Sequence, residues 1–195
     1  EADPGFDVDG VDAAQKLALL AALAFDIPVS MDDMYIEGIS GVTVEDLRYA
    51  RELGFRIRHV GIARRNEEKF ETRVHPSLIP ATDLVGDVAG VANAVIVGAN
   101  AIGSMLLVGP GAGGLPTASA VLSDLIEIAR GTCPRLRIGQ NEGIRVPVAA
   151  TESRYYLNIP AADRPGVFGE IGDILRRGGI SIEAVIQKRE AIRQS

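Results

Sequence analysis

FRIRHVGIARRNEEKFETRVHP (residues 55–76) decides the architecture. Its first nine residues, FRIRHVGIA (55–63), alternate or run apolar as a strand does, and KFETRVHP (69–76) has the same character. The polar RRNEEK (64–69) between them reads as a turn, so the two form neighbouring strands. Upstream, VTVEDLRYARELGF (42–55) reads as a helix. Thr43 is placed to cap it, Glu45 and Asp46 fall in its first turn, and Gly54 suits a left-handed terminus. MYIEGI (34–39) reads as a short strand. GVDAAQKLALLAALAF (10–25) is a helix dominated by alanine and leucine, with Leu17, Leu20, Ala21 and Ala24 at helical spacing and Pro28 stopping it.

Downstream, VAGVANAVIVGANAIGSMLLVGPGAGG (88–114) suggests two or three strands joined by tight turns, valine-rich over 92–108 as strands buried in a sheet or interface are. PTASAVLSDLIEIARG (116–131) is a helix with proline in its first turn and a glycine terminator. Residues 131–153 lose periodicity and read as a linker. A smaller unit follows: strand RYYLNIP (154–160), turn AADRPG (161–166), helix VFGEIGDILRRGG (167–179) and strand ISIEAVIQK (180–188). Two strands alone are marginal, so this unit looks cut short. The expected fold class is α+β: an open, mainly antiparallel or mixed sheet covered by helices over 1–131, a linker over 132–153, and a partial second unit over 154–195.

The chain has 195 residues, 47% hydrophobic and 24% charged, enough for one solid core and a second small domain. A net charge of −6 and basic runs no longer than two or three residues argue against a nucleic-acid partner, which needs a basic face to release counterions. The apolar run LALLAALAF (17–25) is short of the ~20 residues that span a bilayer, and the acidic start has the wrong composition for a signal peptide. The single cysteine, Cys133, cannot close an internal disulfide and reads as an inert thiol. A cytoplasmic protein with no membrane partner is expected. There is no Cys/His set for zinc, so no metal is expected. His75, followed by proline, reads as structural. His59, in a strand-like run, is given no role. Asp124 and Glu127 read as the solvated face of their helix.

The first twelve residues hold five carboxylates, Glu1, Asp3, Asp7, Asp9 and Asp12, followed by Lys16 one helical turn after the last. Asp12 and Lys16 share one helix face and make at least an exposed ion pair worth a few tenths of a kcal/mol. Such a pair does not explain the other acids beside it. A cluster of carboxylates around one ammonium is what a pocket for a small cationic substrate needs, with the lysine kept as a proton donor.

The spacing D-P-x-x-D-V-x-G-x-D-x-x-x-K, on Asp3, Pro4, Asp7, Val8, Gly10, Asp12 and Lys16, closely resembles the signature of homoserine dehydrogenases. The resemblance continues through RVHPSLIP (73–80), ANAV (92–95) and GPGAGGLPTASAVLSDLIEIAR (109–130), and covers roughly residues 1–131. It implies the catalytic and dimerisation domain of such an enzyme, with Lys16 as general acid/base and Glu1, Asp7 and Asp12 lining the amino-acid site. The implied chemistry is NAD(P)-dependent interconversion of L-homoserine and L-aspartate 4-semialdehyde, in threonine and methionine biosynthesis. Taken alone, the glycine-rich VGPGAGGLPTASA (108–120) is either a tight strand-to-helix turn or an anion site at a helix start. The resemblance implies contacts to the nicotinamide end of NADP or NAD from Gly109, Gly111, Ala112, Gly113 and Thr117.

Two departures from the family pattern shape the expectations. No G-x-G-x-x-G turn after a strand occurs here, so the nucleotide-binding domain of the family is expected to be absent and the isolated chain close to inactive. The segment 155–188 resembles the first half of an ACT domain, the βαββαβ module that senses amino acids. Its turn Asp163, Arg164, Pro165, Gly166, Val167 implies an effector site, with threonine the natural candidate. A homodimer or larger homo-oligomer is expected. The rival reading is a catalytically silent module for oligomerisation or amino-acid sensing.

Overall fold

The computed structural model describes residues 4–132, 139, 141–162 and 164–187. A four-residue helix, α1 (Gly5–Val8), leads into α2 (Val11–Phe25) through Gly10. Gly10 has φ +84°, a left-handed conformation that only glycine adopts without strain. The alanine- and leucine-rich α2 buries Ala14, Leu17, Ala21 and Ala22. It ends at Asp26, itself left-handed, two residues before Pro28. After a short 3₁₀ turn (Met31–Asp33) comes β1, only Tyr35–Ile36. The expected strand over 34–39 is thus shortened, because Gly38 and Ile39 turn away to meet the loop before α2. Helix α3 (Val44–Glu52) carries the capping box its sequence promised: Thr43 Oγ1 accepts from the Asp46 amide, and the Asp46 carboxylate accepts from the Thr43 amide. Gly54 follows it with φ +82°.

The deciding stretch forms a hairpin longer than its sequence suggested. β2 (Phe55–Asn66) and β3 (Lys69–Pro80) pair antiparallel from Asn66 opposite Lys69 to Phe55 opposite Pro80. The ladder runs through Pro76 and Pro80, beyond the point where β1 accompanies β3 on its other edge, and proline is tolerated at such an edge. β1 joins β3 in parallel, Tyr35 opposite Arg73. The sheet is therefore mixed, as expected. On its helical side Val74 is fully buried beside Ala14, Leu17 and Met34, and a Cβ on Gly61 would lie 3.3 Å from the Leu17 side chain.

A second hairpin, β4 (Ala92–Ala99) with β5 (Gly103–Pro110), pairs with no other strand among the described residues. It leads into α4 (Gly114–Arg130), which has no buried residue. The valines expected to be buried here are open within this chain: Val97 is 41% and Val108 57% exposed. A hairpin and helix that find no second layer among the described residues cannot bury their faces there.

Part of the stretch that reads as a linker is tied to the first sheet. The Asn141 amide donates to the Asp26 carbonyl, and β6 (Ile144–Arg145) adds in parallel to β3 at Lys69 and Phe70. The two strands expected at 154–160 and 180–188 are corrected. Over 154–160 and 180–187 the chain makes no strand ladder, while residue 188 lies outside the described residues. Arg154 and Glu183 bring the two segments together (3.3 Å), but through side chains, and extended chain without a backbone partner is not sheet. The intervening helix α5 (Val167–Arg177) is present as expected. Segment 154–160 is instead gripped by α3: Tyr156 Oη and Asn158 Nδ2 each donate to Asp46 Oδ1 at 2.8 Å. Burial pushes the Asp46 carboxyl up, yet the donors from Thr43, Tyr156 and Asn158 outweigh it and hold it at about 2. Burial and the Asp46 charge push the Tyr156 phenol up to about 12.

Candidate active site

Asp7, Asp9, Asp12 and Lys16 lie along two helices joined at Gly10. Asp7 is exposed on α1, Asp9 caps it, and Asp12 and Lys16 stand in the first turns of α2. Lys16 Nζ approaches Asp12 Oδ2 to 2.6 Å, with both side chains partly open to water. This is the one ion pair found within the acid set among the described residues. Glu1 and Asp3 lie outside the described residues.

A strap from the sheet sets the angle between the two helices. The Glu37 amide donates to the Val74 carbonyl (2.8 Å), and the Ile39 amide donates to the Val8 carbonyl (2.9 Å). Between them Gly38 lies against the turn: a Cβ there would sit 2.7 Å from the Val8 oxygen and 2.9 Å from Asp9 Cα. His59 on β2 touches both strap and turn. Its Nε2 lies 2.9 Å from the Glu37 carbonyl, and a Cβ on Gly10 would be 2.8 Å from its Cε1. Sequence reading gave His59 no role, and the paired glycines at 10 and 38 were its only local signal. Tyr35 donates to Glu37 at 2.7 Å, which pushes its phenol up.

His75 belongs to a separate polar row on β3. Arg73, 5% exposed, donates through Nη1 to Glu71 at 2.5 Å and through Nε to His75 Nε2 at 3.0 Å. His75 Nδ1 meets the Pro76 carbonyl and Ser77 Oγ, and Thr151 donates to Glu71. With both ring nitrogens engaged, the structural reading of His75 fits its surroundings. No group of three or more His, Cys, Asp and Glu suited to a metal occurs among the described residues.

The glycine-rich loop lies between β5 and α4. The Gly111 amide donates to the Val91 carbonyl at 2.8 Å, and the Asn93 amide group covers Gly111 so closely that a Cβ there would overlap it. Gly113 has φ +122°, and Thr117 spends its amide on the Gly113 carbonyl. Gly109, Ala112, Gly113 and Gly114 are exposed, with open space around Gly109 and Gly114. The amides of Gly114 and Leu115 open α4 without intrahelical acceptors. Around the second turn, Arg164 forks onto Glu170 (2.9 and 2.8 Å), Gly166 is left-handed at φ +91°, and Pro165 and Val167 flank it. Asp163 lies outside the described residues. No described helix is long and apolar enough to cross a membrane.

The sequence pattern of the homoserine dehydrogenase family matches residues 1–126. The homoserine dehydrogenase of Pseudomonas aeruginosa is 48% identical over 96% of this chain and 46% of its own length. The crystal structure of homoserine dehydrogenase from Thiobacillus denitrificans superposes with a TM-score of 0.85 at 43% identity, over 96% of this chain and 46% of that one. A hyperthermophilic archaeal homoserine dehydrogenase mutant in complex with NADPH superposes at 0.53 with 32% identity, over 70% of this chain and 38% of that one. The chain thus spans about half the length of the curated relatives it matches. The mixed α+β fold is shared with these homoserine dehydrogenases. The chain belongs to the homoserine dehydrogenase family.

Proposed function

We propose that this chain carries the substrate site and proton-transfer group of a homoserine dehydrogenase, which interconverts L-homoserine and L-aspartate 4-semialdehyde. The observation that carries the reading is the Lys16 and Asp12 pair at 2.6 Å, set across a fixed turn from Asp7. Carboxylates at Asp7 and Asp12, with Glu1, hold the substrate ammonium, and Asp12 also orients the Lys16 amine. Lys16 takes the hydroxyl proton during oxidation and returns one to the carbonyl oxygen during reduction. NADP or NAD, held by the glycine-rich loop, would supply the hydride chemistry at the carbon bearing that oxygen. In the loop of Gly109, Gly111, Ala112, Gly113 and Thr117, the exposed Gly109, Ala112 and Gly113 fit such a group, with open space at Gly109 for close approach, whereas the Gly111 and Thr117 amides are engaged within the chain and frame the loop. The archaeal relative in complex with NADPH favours the phosphorylated cofactor.

We further propose a homo-oligomer, on the ground that the apolar faces of β4, β5 and α4 are exposed and would be the surface it covers. From the resemblance of 155–188 to half an ACT domain, we also propose an amino-acid effector such as threonine at the turn of Arg164, Pro165, Gly166 and Val167. Those exposed apolar faces equally favour a second reading, a catalytically silent assembly or sensing module. The test joins this chain to a dinucleotide-binding domain of the family and follows NADPH formation with L-homoserine. Turnover that Lys16→Ala removes supports the enzyme. No turnover, or turnover indifferent to Lys16, leaves the assembly module.

A further inference from the structure

We infer that His59 is a positioning residue for the reaction: it locks the strap of Glu37, Gly38 and Ile39 against the turn that sets Asp7 relative to Asp12 and Lys16. The inference rests on the reading of Lys16 and its acids as the reacting site. A backbone carbonyl only accepts, so the contact at 2.9 Å from the Glu37 oxygen requires the proton of His59 on Nε2. That hydrogen bond is one side of a closed circuit. Glu37 is tied to β3 through Val74, Ile39 is tied to Val8, and Gly10 sits with its Cα against the imidazole edge. His59 and Val74 both belong to the sheet, so the circuit transfers the rigidity of the long hairpin to a turn built from a four-residue helix and a left-handed glycine.

The placement of this circuit gives it a functional consequence. Asp7 directly precedes Val8, whose carbonyl the strap holds, and Asp12 lies two residues beyond Gly10, on which the imidazole rests. The three acidic and basic groups make no shared ion pair beyond Lys16 with Asp12, among the described residues, so the turn alone sets the position of Asp7. A substrate held by its ammonium between Asp7 and Asp12 feels any opening of that turn as lost binding. Displacements of about 1 Å at a reacting site can lower rates by ~100-fold.

The experiment uses the complete, cofactor-binding enzyme and compares His59→Leu, His59→Gln and His59→Asn. Leucine removes the donor. Glutamine keeps an N–H with the reach of Nε2, and asparagine keeps the amide one methylene short. His59→Leu and His59→Asn are expected to raise KM for L-homoserine about tenfold, while cofactor affinity stays within about twofold; His59→Gln is expected to recover KM to within about threefold. Amide hydrogen exchange at Ile39 should quicken in the Leu and Asn proteins and not in Gln. Should His59→Leu fail to fold, the Gln and Asn pair carries the comparison. A loss of activity in proportion to folded protein, with KM unchanged, makes His59 merely structural and overturns the inference. So does a Gln protein no better than Asn. Lys16→Ala, run alongside, separates the two levels: if it leaves turnover intact, the reading of the site fails and the role of His59 falls with it.

Discussion

The first sheet with α2 and the arm made of β4, β5 and α4 are built from similar apolar residues and treat them oppositely. Val74 and Ile27 are essentially sealed, at 0 and 1% exposure, while Leu115 on α4 is 86% exposed. Each layer needs a second layer to cover it. The sheet finds one in α2 and α3, whereas the arm finds none among the described residues. The site follows this division. Lys16 and Asp12 ride on the helix that is packed down, and the strap anchors their turn to the sheet. The glycine loop opens a helix with no buried side chain, free to be shaped by whatever covers it.

The comparison can be broken most sharply with matched glycines. Gly10→Ala forces a side chain into a left-handed backbone and within 2.8 Å of His59, while a Cβ on Gly98 in β4 meets nothing within 4 Å. Strain and overpacking together predict a loss of about 4 kcal/mol at position 10, and a change within about 0.5 kcal/mol at position 98. Urea unfolding of the purified chain measures both. Equal losses would mean that the arm is packed as tightly as the sheet.

The next effect concerns leucines. Leu17→Ala empties a core site against Gly61 and should cost about 3 kcal/mol. Leu122→Ala, at a position 58% exposed, should cost no more than about 0.5 kcal/mol in the same denaturation experiment. A large loss at Leu122 that grows with protein concentration would show the arm covered by a second copy.

Asp46 ranks third. Its carboxyl is held at about 2, below its unfolded value of 3.8, so its contribution is present above pH 4 and disappears as pH falls through the folded value. Allowing for solvent, that contribution is on the order of 1–2 kcal/mol. Melting temperatures between pH 5 and 2 should therefore fall less steeply in Asp46→Asn. Tyr156→Phe, which removes one donor to that carboxylate, should cost about 1 kcal/mol at neutral pH and free segment 154–160 to faster amide exchange. An unchanged pH profile in Asp46→Asn would remove the carboxylate from the account of how that segment is held.

What could be read in the sequence was what neighbouring residues decide among themselves. Ala and Leu spacing gave α2, Thr43 and Asp46 gave the cap of α3, and the four-residue interval gave the Asp12 and Lys16 pair. What could not be read depends on partners far along the chain. β1 and β6 join β3 in parallel from opposite directions in sequence, and Asp46 is gripped from 110 and 112 residues away. Residues 154–160 and 180–187 have the composition of strands, but composition cannot supply a backbone partner. His59 escaped notice for a related reason. On β2 it looks like any residue of an alternating run, and its role exists only because Gly10 and Gly38 let two loops close on it.

The smallest effect is also the one that tests what the acid cluster is for. Lys16 and Asp12 are 55 and 35% exposed, and an open pair four residues apart on a helix contributes about 0.3–0.5 kcal/mol. A double-mutant cycle of Asp12→Asn and Lys16→Met should return a coupling of that size in urea unfolding. The same substitutions should remove most turnover from the complete enzyme. That contrast would mark a group kept for chemistry, one whose contact contributes little to folding and much to reaction. A coupling above about 1.5 kcal/mol would reverse the inference: the pair would then staple α2 in place, and the crowding of carboxylates around it would need another cause.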